Sequence, residues 1–482
     1  MRRAPYLLYL ASTIAGRLAM LVVLVVLTRL LTPENYGLFA LVVATGEILD
    51  MSMSNWVRIL YLREESGRDR LRAVRLGRMF TLMTASTLAA FLVAIGVAFA
   101  ADGGNPGVFA LSTIAYVASF ALLRVALTLS QQRKDHAGFT AIELSRSLVA
   151  VPAVAGAAAW AGGYAAPALA LALTTALVAG LGLARNMRGQ PAPRRPRHGY
   201  SAALRFGLPV AAVSFLSFAF GWFDRFILNA WEGPAAVGIY AAAFALGRQP
   251  VALFLGALNT YTFPKLAELA NKGGLDSVAR AQTALLSSMS AVGAAAAAGL
   301  WALADPLARV LFAPQFATEA APIVPWIAGG ALLVSLKSFV FDNSFHMTKA
   351  TGRLIGYMLP AAVAGLAASM ILIDAHGLAG AAWAFLAGTG IALLASAATS
   401  FTVLRFALPW RRLAEIAAAA VLGGLAARLA SDALHGWGPL AQAAGGGLVL
   451  AAVYLGTLRI CGFSLAAFLA APWEIQGRGA AA

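Results

Sequence analysis

The chain has 482 residues, of which 60% are hydrophobic and only 12% charged, with a mean hydropathy of +0.78. A soluble globular domain carries about twice that share of charge, so this class is excluded. The formal net charge of +16 would suit a nucleic-acid partner in a soluble protein. Here the basic residues fall in short loops between apolar runs, where they set membrane orientation, and nucleic acid is not an expected partner.

Apolar runs of about 20 residues recur along the whole chain, each long enough to cross a hydrocarbon core of roughly 30 Å as a helix. A helix satisfies its own backbone hydrogen bonds, as lipid requires. A β-barrel would instead show short alternating segments, and the sequence has none. The expectation is an all-α polytopic membrane protein with about fourteen transmembrane helices. The single cysteine, Cys461, leaves no internal disulfide. The opening Met1-Arg2-Arg3 mimics a signal peptide, but Arg17 interrupts the run that follows and no convincing cleavage site is present. It reads as an uncleaved first helix.

In chain order, the first two spans cover 6–31 and 36–60. They are joined by the tight turn Thr32-Pro33-Glu34-Asn35 and followed by a basic loop from Arg63 to Arg78. Spans at 79–100, 108–129, 139–160 and 164–184 complete a first lobe, 1–184. The segment 185–205 is basic and proline-rich, with Arg185, Arg188, Arg194, Arg195 and Arg197 among Pro191, Pro193 and Pro196. It reads as a semi-rigid cytoplasmic linker. A second lobe, 206–404, holds spans at 206–231, 236–263, 284–304, 323–345, 354–373 and 378–403. Two more helices occupy 405–461, and 462–482 forms a cytoplasmic tail. Every second loop carries arginine or lysine, while the intervening loops hold essentially only Arg309. The positive-inside rule then places both termini in the cytoplasm.

The two halves echo each other. Arg29 and Tyr36-Gly37 match Arg225 and Gly238-Ile239-Tyr240, and Arg124 in the fourth span matches Lys337 in the tenth. Each of these two cations is followed by a basic loop with Ala137-Gly138 or Ala350-Thr351-Gly352. An even number of spans per lobe makes the lobes parallel, pseudo-symmetric repeats, with a site expected between them at mid-depth.

Ionisable residues inside the spans are the candidate functional groups. A central arginine costs about 2.5–3.5 kcal/mol on insertion scales, so it faces a partner or a water-filled cavity. Arg17 lies mid-span in the first helix; Glu47, Asp50, Ser54 and Arg58 step by three or four along one face of the second. Arg124, Arg248, Lys337 and Asp342 follow in later spans. One reading is simple neutralisation, of Glu47 or Asp50 by Arg17 and of Asp342 by Lys337. The favoured reading takes Arg17, Arg124, Arg248 and Lys337 together as a cationic cavity that attracts a substrate with anionic groups. Glu47 and Asp50 are then candidates for binding a coupling ion. No Walker motif, nucleophile elbow or metal-ligand run is present, so ATP-driven transport by this chain alone is not expected, and neither is a cofactor or metal; the short outer loops speak against an enzyme.

The stretch Arg-Leu-Leu-Thr-Pro-Glu-Asn-Tyr-Gly-Leu-Phe-Ala-Leu at 29–41 resembles the opening of polysaccharide-biosynthesis exporters, the oligosaccharide flippases. Asp224-Arg225 with Val237-Gly238-Ile239-Tyr240-Ala241 resembles them too, as does Leu311-Phe312-Ala313-Pro314-Gln315-Phe316. These proteins belong to the multidrug/oligosaccharidyl-lipid/polysaccharide superfamily. The resemblance implies two six-helix lobes around a central cavity with two added C-terminal helices. It also implies a flippase in the bacterial inner membrane. The cargo would be an undecaprenyl-pyrophosphate-linked oligosaccharide, moved from the cytoplasmic to the periplasmic leaflet. A polysaccharide polymerase and a chain-length regulator are candidate partners besides the lipid bilayer. The alternatives are a drug or metabolite:cation antiporter of the same superfamily and a membrane-bound polymerase or ligase. The first favours acidic and aromatic cavity residues; the second usually needs a large periplasmic loop. A non-transporting scaffold needs no polar face inside the bundle.

Overall fold

The computed structural model describes residues 19, 21–63, 69–100, 105–194, 199–219, 221–272, 274–350 and 352–462. Arg17 and most of the first predicted span lie outside these residues. All regular structure among the described residues is helical. In chain order the helices are α1 (Leu21–Leu30), α2 (Pro33–Arg63), α3 (Asp69–Ala100), α4 (Pro106–Gln132), α5 (His136–Ala161), α6 (Ala165–Met187) and α7 (Tyr200–Ala219). There follow α8 (Phe223–Lys272), α9 (Gly274–Leu311), the short α10 (Pro314–Ala320), α11 (Val324–Met347), α12 (Gly352–Ser400), α13 (Trp410–Ala433) and α14 (Pro439–Ile460).

Eleven of these helices are long and apolar enough to cross a bilayer. The difference from about fourteen predicted spans has a local cause. Helix α12 holds two predicted spans, broken only at Gly377 (φ 52°, ψ −127°), and α8 is broken only at Gly233 (φ 82°, ψ 177°). Each reversal is so tight that a single glycine in the positive-φ region performs it. The remaining spans correspond to the shorter apolar helices α1 and α7.

Helix starts follow the capping rules. Thr32 accepts the Asn35 N–H at 3.3 Å with Pro33 in the first helical position, and Asn105 accepts the Gly107 and Val108 N–H groups at 3.1 and 3.2 Å ahead of α4. Leu92, Phe99, Leu173, Leu177 and Leu181 are exposed on α3 and α6. In water such a surface would be a liability; in a bilayer it is the lipid face. Exposed Trp160, Trp410 and Trp437 lie at helix ends or turns, where interfacial indoles anchor a membrane protein.

The chain forms two compact units, Met1–Ala241 and Ala242–Ala482. In the first, Trp56, Val57 and Leu60 of α2 pack with Leu76, Met79 and Leu82 of α3 and with Val125 and Leu129 of α4. Helix α7 joins this core through Gly207, where a β-carbon would fall 2.1 Å from the Trp56 ring. The hairpin at Pro33 meets its sequence echo directly. A β-carbon on Gly37 would lie 1.8 Å from the Pro234 carbonyl oxygen, and one on Gly238 would lie 2.1 Å from the Pro33 carbonyl oxygen. Small residues let the two backbones touch, as helix interfaces in lipid require. The start of the linker is docked as well: the Arg194 N–H donates to the Ala73 carbonyl at 2.9 Å, and Arg133 donates to the Asn186 and Arg188 carbonyls at 2.9 Å each.

In the second unit, α13 and α14 pair with each other and pack on α9. Ala291 meets Ile416, Ala419, Tyr454 and Leu458 there. The Tyr454 hydroxyl donates to the Ala291 carbonyl at 2.6 Å.

Candidate functional site

Among the ionisable residues inside the helices, Glu47, Asp50 and Arg124 in the first unit and Lys337 and Asp342 in the second belong to two buried networks, while Asp224, Arg225 and Tyr240 form a further buried group on α8. Both networks are built on a π turn. Within α2, the segment Asp50–Ser54 is π-helical, and the Asn55 N–H bonds to the Asp50 carbonyl. Within α11, Lys337–Phe341 is π-helical, and the Asp342 N–H bonds to the Lys337 carbonyl. Such a turn inserts a residue into the helix and re-aims every side chain after it; π turns of this kind are frequent at functional sites.

In the first unit Asp50 is fully buried. The Arg124 guanidinium of α4 grips it side-on: Nε lies 2.9 Å from each carboxylate oxygen, and Nη2 also donates to Oδ2. Asn55 sits beside the pair and accepts from Arg58 Nη1 at 3.2 Å and from Arg124 Nη1 at 3.5 Å. Arg58 Nη2 donates on to Gln131 at 3.3 Å. One turn earlier, Glu47 accepts the Tyr116 hydroxyl at 2.8 Å. Gly46 makes that contact possible, because a β-carbon there would fall 2.2 Å from the Tyr116 ring. Tyr116 stacks on Phe120 with centroids 4.2 Å apart, and Arg146 lies 5.8 Å over the Phe120 ring while pairing with Glu143 at 3.1 Å. Tyr116, Phe120 and Arg124, spaced by four along α4, thus form one continuous polar and aromatic face.

In the second unit Lys337 Nζ lies 2.7 Å from Asp342 Oδ2. The other oxygen of Asp342 accepts from Ser396 at 2.6 Å and from the Tyr357 hydroxyl, both on α12. Lys337 also sits 5.4 Å over the Tyr357 ring. Carbonyls around the π turn find side-chain donors. Asn343 Nδ2 reaches the Phe339 oxygen at 2.6 Å, and Gln282 of α9 donates to the Val340 oxygen.

Asp50 meets Arg124; Arg17 lies outside the described residues. Glu47 shares the network through α2 and Tyr116. Lys337 has the neutralising partner, Asp342, that one sequence reading gives it. Arg248, on α8, is exposed and lies 5.6 Å over the Phe244 ring. Ser54, placed with Glu47 and Asp50 on one face by a regular period, is buried with its hydroxyl unpartnered, and Asn55 takes the position beside Arg124 instead. The inserted residue of the π turn is the cause. The sequence alone does not mark Asn55, Gln131, Tyr357 or Ser396 as members of these networks. Gln131, Tyr357 and Ser396 lie on other helices than the carboxylates or cations they serve, and nothing local marks them.

Eleven bilayer-length apolar helices and charge pairs sealed inside the bundle define a multi-pass membrane protein. The chain belongs to the polysaccharide biosynthesis protein family, whose model matches residues 26–321. This bears out the resemblance carried by the hairpin at 29–41. Among solved structures the chain is similar to "Lipid II flippase MurJ, inward closed conformation". That match has a TM-score of 0.75 and 14% identity, and it covers 95% of this chain and 100% of that one. At that identity the likeness shows a shared fold. No curated protein matches the sequence.

Proposed function

We propose that the protein is a flippase for a lipid-linked oligosaccharide, carrying an undecaprenyl-pyrophosphate-linked precursor of surface polysaccharide from the cytoplasmic to the periplasmic leaflet. The observation that carries this reading is the joint one: a polysaccharide-biosynthesis family on a fold shared, over nearly the whole chain, with a flippase of a lipid-linked sugar. The alternation of basic loops supports an inner-membrane location with both termini cytoplasmic. A polymerase and a chain-length regulator would receive the product.

The mechanism proposed is alternating access, with Arg17, Arg124, Arg248 and Lys337 contributing to the recognition of the anionic head. The buried pairs supply its chemistry. The fork that Arg124 presents to Asp50 fits a diphosphate equally well, since both offer paired oxygens. Substrate would exchange with Asp50 for the guanidinium. The buried Asp50 carboxylate then needs another cation, so binding of cargo is tied to uptake of a coupling ion at Asp50 and Glu47. Lys337 and Asp342 make the equivalent exchange with a point charge in place of a fork.

The test is deletion followed by leaflet-resolved lipid analysis. Lipid-linked oligosaccharide accumulating on the cytoplasmic leaflet is expected. Single repeat units accumulating on the periplasmic side would contradict the flippase reading and indicate a polymerase.

A further inference from the structure

The second unit contains a cavity of about 900 Å³ that the buried networks do not use. It is formed by the last turns of α9, the connection from α10 into α11, the last turns of α13 and the start of α14. Its walls carry two indoles, Trp301 and Trp326, both part exposed at 41% and 45%. Trp326 is held edge-on against Trp383 at 6.2 Å, and the Arg428 guanidinium sits 5.6 Å over the Trp301 ring. The lining also holds a polar relay. Arg309 pairs with Asp305 and donates to Gln442 at 3.3 Å, and Gln442 in turn lies 3.2 Å from His435 Nδ1. Arg428 and Asp432, one turn apart on α13, make no hydrogen bond through their side chains among the described residues and line the same space.

This inventory selects a ligand class. Two arginines are balanced by two aspartates, so the cavity has no net attraction for an anion, and a phosphate would meet Asp305 and Asp432 as well as the guanidiniums. A purely apolar ligand would strand four charges and two amide or imidazole groups without partners. A sugar satisfies both sets. Its hydroxyls are donors and acceptors at once, suited to carboxylate, guanidinium, carboxamide and imidazole side by side. Its C–H faces carry slight positive charge and lie on the negative faces of indole rings. The volume falls in the range of small-molecule pockets and holds a short oligosaccharide.

We infer that this cavity is a binding site for uncharged sugar units, separate from any site for the pyrophosphate. Helix α13 starts at Trp410-Arg411-Arg412, and the cavity lies at its far end, around Arg428 and Asp432. The positive-inside rule then opens the cavity on the extracytoplasmic side. Its role as an exit-side site for the glycan, built with the two C-terminal helices, rests on the flippase reading; its capacity to bind sugar does not.

The experiment uses the full-length protein purified in detergent and ligand-observed saturation-transfer NMR. The probes are chitotriose, mannotriose and the oligosaccharide released by mild acid from the host's lipid carrier. Saturable binding of at least one is expected, weakened about tenfold by Trp301→Ala and by Trp326→Ala. Arg428→Gln and Asp432→Asn, exposed and shape-conserving, should weaken it too and guard against misfolding of the tryptophan variants. Inorganic pyrophosphate and short-chain phosphatidylglycerol serve as competitors and should not displace the sugar. Failure of all three sugars to bind overturns the inference. So does sugar binding that all four substitutions leave intact, or binding of only the phosphate-bearing competitors at this site. None of these outcomes bears on leaflet accumulation in the deletion strain, and a negative leaflet result leaves sugar binding standing.

Discussion

Arg124→Gln removes the cation from a carboxylate with no solvent exposure. Breaking one side of a buried ion pair costs about 3–5 kcal/mol, because the surviving charge is stranded. Asp50→Asn strands Arg124 instead, but that side chain retains 15% exposure and a contact to Asn55, so its loss should fall at the lower end. In the double variant both charges are gone and two amides of similar shape remain. Its stability should recover most of the loss, giving a coupling of at least about 2 kcal/mol, well above the few tenths seen for independent sites. The assay is a double-mutant cycle by reversible unfolding in mixed micelles. Losses that add to within about 0.5 kcal/mol would show that the pair is not the unit described here. The same double variant separates structure from transport: a folded protein that no longer exports polysaccharide places the Asp50–Arg124 pair in the transport cycle, whereas full export limits the pair to the fold.

At the hairpin contact, Gly37→Val and Gly238→Val should each abolish accumulation of folded protein in the membrane, measured by fluorescence-detected size exclusion, since each β-carbon would overlap a backbone carbonyl. In the second network, Ser396→Ala should cost about 1–3 kcal/mol by removing one donor to Asp342. Lys337→Met should cost more, and thermal unfolding of the two variants orders them. Gly46→Ala should push Tyr116 from α2 and break its bond to Glu47, with an overpacking loss of about 1–3 kcal/mol visible in the same unfolding assay.

The helical, polytopic architecture is legible in the sequence because membrane length and apolar composition dictate it. The limits of that legibility are equally physical. Gly233 and Gly377 look like two glycines among 47, and only the backbone shows that each reverses or breaks a continuous helix. A regular 3.6-residue period puts Ser54 beside Asp50; the π turn puts Asn55 there. Arg124 and Asp50 are 74 positions apart, and no local pattern tells Asp50 which cation it will meet. Lys337 and Asp342 are five apart, beyond the regular i, i+4 spacing, and again a π turn brings them together. Charges inside spans therefore mark where the network is, while the identity of each partner depends on packing.

Reconstitution in liposomes is the decisive assay for flipping. The purified protein is placed in sealed liposomes loaded with the host's lipid-linked oligosaccharide, and an added membrane-impermeant glycosidase or lectin reports which leaflet holds the sugar. The inner-leaflet fraction should become accessible when the protein is present, and the fold-preserving double variant of Asp50 and Arg124 should lose this activity. An inner-leaflet fraction that stays protected with folded protein present, under imposed proton and sodium gradients of either sign, would contradict the flippase reading.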